Sequence, residues 1–248
     1  MRIENLADLQ VLVHTARGGT LTAAARALGI TPAAASATLV GTVRVAAPSD
    51  LTRNLLLPLF DEFMQAHPGL QLQLSVADRV LDVMRDEVDV AIRYGTLADS
   101  RLVARTLASA RPICSASPDY LRRHGTPQTP HDLLKHNCIT FDRGGRRHRA
   151  WRFCRDGQWT EVRVDGDRSV DDASLAREWA IAGRGVILKS EVDQRRDLDS
   201  GALVPLLTDW QTEPYPLHAL LPSGRFVPNR VRALVDFLAA RFAAMTGR

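Results

Sequence analysis

Three short segments place reactive side chains where a strand hands over to a helix or loop: Pro48-Ser49-Asp50, Ala77-Asp78-Arg79 and Arg93-Tyr94. In open α/β sheets, small molecules bind at such carboxyl ends of strands. Ser49 combines a hydroxyl with the free backbone N–H groups of a helix start, a combination suited to an anion. It is equally suited to a plain N-cap. Asp50 would repel an anion, so it reads as a cap or as a reader of donor groups. Arg93 offers a planar fork that matches a carboxylate. The alternative for Arg93 is a structural ion pair with Asp78 or Asp82. Tyr94 stands beside it. Further along, Thr140-Phe141 and Asp171-Asp172 are candidates from a second group of strands and helices, with Asp172 also a natural helix cap. Gly183 permits a close backbone approach near a hinge, or simply ends a helix.

Motifs of catalysis are not found. There is no Gly-x-Ser-x-Gly elbow, phosphate loop or dinucleotide fingerprint, so an enzyme is not expected. His136, Cys138, His148 and Cys154 could be drawn together as a zinc site, but their spacing matches none of the usual pairings. No metal or cofactor is expected. Three cysteines are an odd number for a disulfide framework and suit a reducing cytoplasm. No stretch is apolar enough to span a bilayer, and the amino terminus does not resemble a secretion signal. A cytoplasmic protein without a membrane partner is the expectation.

The elements that would position these residues follow from periodicity. Val43, Val45 and Ala47 alternate with Thr42, Arg44 and Ala46 as in a strand. Residues 51–67 read as a helix, with Pro58 in an early turn or at a kink. Strands follow at 70–74 and 88–92, with a short helix near 79–86 between them. Strand-helix alternation of this kind implies a parallel sheet. Further strands are expected at 102–108, 111–116, 137–141, 149–154, 158–164, 186–188 and 217–221. Helices are expected at 172–182, 190–198 and 227–244. The Arg143–Arg149 run, rich in arginine, reads as a solvated loop.

The first forty residues have another texture. Leu6, Leu9, Val13 and Ala16 fall on one helical face, Gly18-Gly19 ends that helix, and Thr22 caps the next. Gly29 makes a tight turn, and Thr31-Pro32 opens a third helix. Helix, glycine turn, helix is the layout of a helix-turn-helix. With 248 residues, 45% of them hydrophobic, the chain can carry such a module and a larger domain. The net charge of +4 suits nucleic acid or an anionic ligand without requiring either.

Together these segments resemble the LysR-type transcriptional regulators. The resemblance runs through Ala23-Ala24-Ala25, Leu28–Ser36, Gly41–Pro48, Leu56-Leu57-Pro58, His67-Pro68, Asp89–Gly95, Leu102–Arg105, Ala116–Leu121 and Ala182–Val186. It implies an α/β, two-lobed effector domain like type 2 periplasmic binding proteins, preceded by a partial all-α helix-turn-helix. Residues 1–40 would be the DNA-binding module and 41–248 the effector domain. Lobe 1 would take about 42–113 and 217–248, and lobe 2 about 114–214. The resemblance implies a cleft for a small-molecule effector at Ser49, Asp50, Asp78, Arg93, Tyr94, Thr140, Phe141, Asp171 and Gly183, anionic if the Ser49 and Arg93 readings hold. It implies contacts to double-stranded DNA from Thr22, Thr31, Pro32, Ala33 and Ser36, and homo-oligomers formed through the effector domain.

The chain departs from the family where the recognition helix should continue. Val40-Gly41-Thr42 leads straight into a strand, so the wing and the long linker helix have no residues to form them. Ala37-Thr38-Leu39 carries no basic group. Weakened DNA binding is expected, because phosphate contacts supply most non-specific affinity. The alternative is a sensing domain that has lost DNA binding and acts through mixed oligomers with an intact relative.

Overall fold

The computed structural model describes residues 39–76, 88–95, 102–143, 146–222 and 227–246. The helix-turn-helix reading, with Thr22, Thr31, Pro32, Ala33 and Ser36, lies outside these residues. So do Asp78 and the helix expected near 79–86.

The chain enters strand β1 (Gly41–Ala47) directly after Val40. β1 pairs in parallel with β2 (Leu70–Val76) over its whole length, from Gly41 opposite Leu70 to Ala47 opposite Val76. On its other side it pairs in parallel with β3 (Val90–Tyr94). The late strand β13 (Leu217–Pro222) returns antiparallel between β3 and β4 (Leu102–Ala108), giving the order β2-β1-β3-β13-β4. Alternation in β1 sends Val43 and Val45 into a core with Leu51, Leu56, Phe60, Ile92, Leu217 and Leu234. Ala46 is buried as well, against Val88, Ala91 and Leu220 on the opposite face. A sheet covered on both faces buries both sets of side chains.

The helix after β1 begins earlier than the periodicity suggests, and it is not uniform. A turn of α-helix, α1 (Ser49–Leu51), widens into a π-helical stretch over Thr52–Leu56 before α2 (Leu57–Ala66). Pro58 lies in the first turn of α2. Its ring would clash with a carbonyl four residues back, and it has no N–H to give. The wider turn just upstream resolves both problems, with Leu57 N–H reaching back to the Thr52 carbonyl. The long carboxyl-terminal helix, Asn229–Thr246, buries Val231, Leu234, Val235, Leu238 and Phe242 in the same core.

The second lobe is antiparallel at its centre. β5 (Pro112–Ala116) lies between β11 (Ile187–Ser190) and β12 (Val204–Leu206). Beside it stand β6 (Thr140–Arg143), β7 (Arg146–His148) and β10 (Ser169–Val170) in one small sheet. β8 (Ala150–Arg155) and β9 (Gln158–Arg163) form a hairpin. Its turn is Asp156-Gly157, both with positive φ (52° and 77°). That is the turn chemistry a two-residue hairpin asks for. The helices of this lobe are α3 (Pro118–His124), α4 (Ala173–Ile181) and α5 (Glu191–Ser200).

Two segments cross between the lobes and hold each other. Tyr215 N–H donates to the Ala110 carbonyl at 2.7 Å, and the Thr212 hydroxyl donates to the Pro112 carbonyl at 2.6 Å. Among the described residues, no helix is long and apolar enough to cross a membrane.

Candidate functional site

β1 ends at Ala47, and Pro48, with extended backbone (φ −64°, ψ 148°), leads into the start of α1. Asp50 follows, with its side chain only 1% exposed. Both of its cationic partners come from the other lobe. Lys189 Nζ, on β11, lies 2.6 Å from Oδ2, and Arg177 Nε, on α4, lies 3.0 Å from Oδ1. The Asn54 amide donates to Oδ1 from one turn along the same helix. Asn54 also accepts from Arg177 Nη2 at 3.1 Å.

The network extends behind these groups. Lys189 Nζ reaches Asp193 Oδ2 at 3.0 Å, and the other Asp193 oxygen accepts from the Tyr94 hydroxyl at 2.8 Å. Arg177 Nη1 holds Asp197 at 2.7 Å. At the edge, the Ser49 hydroxyl donates to Asp172 Oδ1 at 2.7 Å, and Arg53 lies 3.4 Å from Oδ2. Asp172 is also the N-cap of α4, accepting from Ser174 N–H at 2.8 Å. The lobes are therefore joined by a continuous polar seam.

The proton affinities follow from this crowding. Burial works against the charge of Lys189, but Asp193 and Asp50 outweigh it and hold its pKa above the usual lysine range. Burial raises the Asp193 carboxyl, with Asp50 adding to the effect and Lys189 offsetting part of it. Burial and the neighbouring Asp193 push the Tyr94 hydroxyl up. Asp172 goes the other way: burial would raise it, but Ser49, Ser174 and Arg53 together hold it below the ordinary value.

Next to the seam lies a cavity of about 380 Å³, inside the range usual for small-molecule sites. Its walls come from both lobes: Arg93 and Tyr94 from the first, Phe141, Trp151, Leu188 and Ala176 from the second. Tyr215, on a crossing segment, stacks on Tyr94 with ring centres 5.3 Å apart and planes 10° from parallel.

The expected site residues divide. Asp50, Arg93, Tyr94 and Phe141 line the cavity. Ser49 is buried in the seam, where its hydroxyl meets a carboxylate of the protein itself. Thr140 turns into the second lobe and donates to the Arg168 carbonyl at 3.4 Å. Asp171 is exposed, and its neighbour Asp172 makes the seam contacts. Gly183 is not among the cavity residues. It follows the last turn of α4 with φ +72°, and a Cβ there would meet Arg123 and Asp119 at about 3.0 Å. Its role is that of a helix C-cap packed against α3.

Arg177, Lys189, Asp193, Trp151 and Tyr215 were not anticipated. One signal was available: Lys189 is a charge at the end of the apolar run Val186-Ile187-Leu188, followed four residues later by Asp193 at helical spacing. Among the described residues, no group of three or more His, Cys, Asp or Glu is placed to hold a metal. Cys138 is buried, which pushes its thiol up to about 12. Cys114 and Cys154 are buried and unpaired as well.

Comparison with known proteins places this architecture. Residues 36–243 match the LysR substrate binding domain. The chain belongs to the LysR family. This LysR chain is 28% identical over 200 residues to the HTH-type transcriptional activator TtdR of Escherichia coli K12, covering 81% of the chain and 64% of the relative. It is 31% identical over 199 residues to the transcriptional regulator CrgA of Neisseria meningitidis, covering 80% and 66%. The chain thus spans less than two thirds of the length of TtdR. Among solved structures, the CrgA regulatory domain superposes with a TM-score of 0.72 at 30% identity, covering 82% of this chain and all of that one. Full-length AphB of Vibrio cholerae gives 0.70 at 28% identity, covering 81% and 68%. The two-lobed α/β effector-domain fold expected from the sequence is the one observed.

Proposed function

We propose that this protein is a LysR-type transcription regulator that senses a small molecule in the cavity between its lobes. The observation that carries the reading is a cavity of about 380 Å³ walled by both lobes, beside a polar seam that joins them. A ligand there shifts the balance between lobe arrangements by the difference in its affinity for each. Oligomer contacts between effector domains would pass that shift to residues 1–40 and to double-stranded DNA in the cytosol.

The join at Leu39 favours a second reading for the DNA half. Leu39 packs on the lobe 1 core, and the next residue but one starts β1. Ala37-Thr38-Leu39 supplies no basic group where phosphate contacts are needed, which weakens any DNA element that precedes it. The chain would then sense its ligand and act through mixed oligomers with an intact relative.

Fluorescence anisotropy on the DNA upstream of its gene, over a salt series, separates the two. Sequence-specific binding with a steep salt slope supports the regulator. Absent or weak non-specific binding assigns the output to mixed oligomers.

A further inference from the structure

The inference concerns the chemistry of the effector, and it rests on the cavity being the effector site. Arg93 and Lys189 on the wall, with Arg177 behind them, invite a carboxylate guest, but each of these cations is already engaged by the protein. Lys189 is shared between Asp50 and Asp193, and Arg177 between Asp50 and Asp197. Arg93 donates to the Ile92 carbonyl at 3.2 Å and has a further interaction. The helix start at Ser49, the other expected anion position, is filled by Asp172. Two carboxylates and two cations, Asp50, Asp193, Lys189 and Arg93, stand on the cavity wall, and Arg177 and Asp197 pair with each other behind it. Arg53 and Asp172 balance each other at its edge.

A guest with a net charge would upset that balance. It would lose part of its hydration on entry without gaining a counter-ion of its own, which is costly. The remaining wall is apolar and aromatic: Ile139, Phe141, Trp151, Leu188, Tyr94 and Tyr215. Rings bury large apolar area and stack on such surfaces. His148 is the remaining titratable side chain on the wall, and it already has an interaction.

We propose that the cavity takes an uncharged, ring-bearing molecule and rejects carboxylates and amines of the same shape. The protein's own Asp50 and Asp172 occupy the positions an anion would use.

Isothermal titration of the full chain with benzamide, benzoate and benzylamine tests this, since the three share a ring and differ in charge. Benzamide should bind at least about tenfold tighter than either ion, which is about 1.4 kcal/mol. Benzoate or benzylamine binding as tightly as benzamide overturns the proposal, as does a folded protein that takes up none of the three at millimolar concentration. Two charge variants give opposite shifts. Asp193→Asn leaves the wall one unit positive and should move the preference toward benzoate. Lys189→Met leaves it one unit negative and should move it toward benzylamine. A preference unmoved in whichever variant retains its thermal transition overturns the proposal. Ala176→Phe fills the cavity. Benzamide binding that survives this change places the ligand elsewhere and overturns the effector-site reading, whereas its loss supports both the site and its charge preference.

Discussion

At the Ser49–Asn54 end of the cleft the lobes meet through charged groups at hydrogen-bond distance. At the Phe141–Trp151 end they stand apart around an apolar hollow. Both ends draw on the same two lobes, so the difference lies in what each side chain can do with its neighbour. Charges buried together need partners at hydrogen-bond distance, and this pulls the seam shut. Aromatic walls need only contact, which a ligand can supply as well as the facing lobe. The seam ties the lobes together, and the cavity beside it leaves room for a small molecule.

The largest expected effect breaks the seam. Asp50→Ala strips a buried carboxylate from Lys189 and Arg177, whose side chains are 11% and 14% exposed. Loss of one partner from a buried ionic cluster costs about 3–5 kcal/mol. Urea unfolding should show it, and a loss near zero would mean that the cations find water or Asp193 and Asp197 sufficient. Next is the cavity wall. Trp151 is 5% exposed, and Trp151→Ala should cost about 3 kcal/mol from lost burial. The same variant should lose benzamide binding, which Asp50→Ala need not do.

Tyr94 belongs to both regions, with its ring on the cavity and its hydroxyl on Asp193. Tyr94→Phe keeps the ring and removes one hydrogen bond to a carboxylate, so stability should fall by about 1.5 kcal/mol. Ligand affinity should be almost unchanged. A large drop in affinity would show that the hydroxyl faces the ligand.

Acid titration sharpens the comparison within the seam itself. Asp172 is depressed, so its contribution is present above the ordinary carboxylate pKa and is lost as pH falls through its folded value. Asp193 is raised, so the folded state holds its proton more tightly than the unfolded chain does. Its contribution favours folding at the acid side and declines as pH rises from the ordinary carboxylate value to the raised one. Asp193→Asn should therefore make the stability profile rise more steeply with pH across that window. An unchanged slope would mean that Asp193 ionises as it does in the unfolded chain.

The smallest effect is expected at the rim. Arg53 is 56% exposed and its partner Asp172 is 32% exposed, so Arg53→Ala should alter stability by less than about 0.5 kcal/mol.

Most of the elements were legible because they depend on neighbours in the chain. Alternating Leu70, Leu72 and Leu74 gives β2, and the face of Val231, Leu234, Val235 and Leu238 gives the last helix. The π-helical stretch at Thr52–Leu56 was less legible, although Pro58 announced that something had to yield. Part of the cavity wall is legible for the same local reason: Asp50, Arg93, Tyr94 and Phe141 lie at or near strand ends of the expected sheets. Arg177, Lys189 and Asp193 were not, since a charge on a helix or at the end of a strand usually faces water.

Local pattern was enough to read most strands and helices and the kinship with the LysR proteins, though not β7 inside the arginine-rich run that reads as a loop, nor α3 and β12. Those properties are set by side-chain period, by φ at glycine and proline, and by the order of motifs. The role of Asp50 depends on the assembled lobes. Its partner Arg177 is 127 residues away, and nothing local distinguishes a carboxylate that awaits a ligand from one already paired. The two lobes must first be folded and joined by their crossing segments. Then Asp50, Asp193 and Asp197 come within ion-pair distance of Lys189 and Arg177, and each buried charge finds its partner in the protein itself.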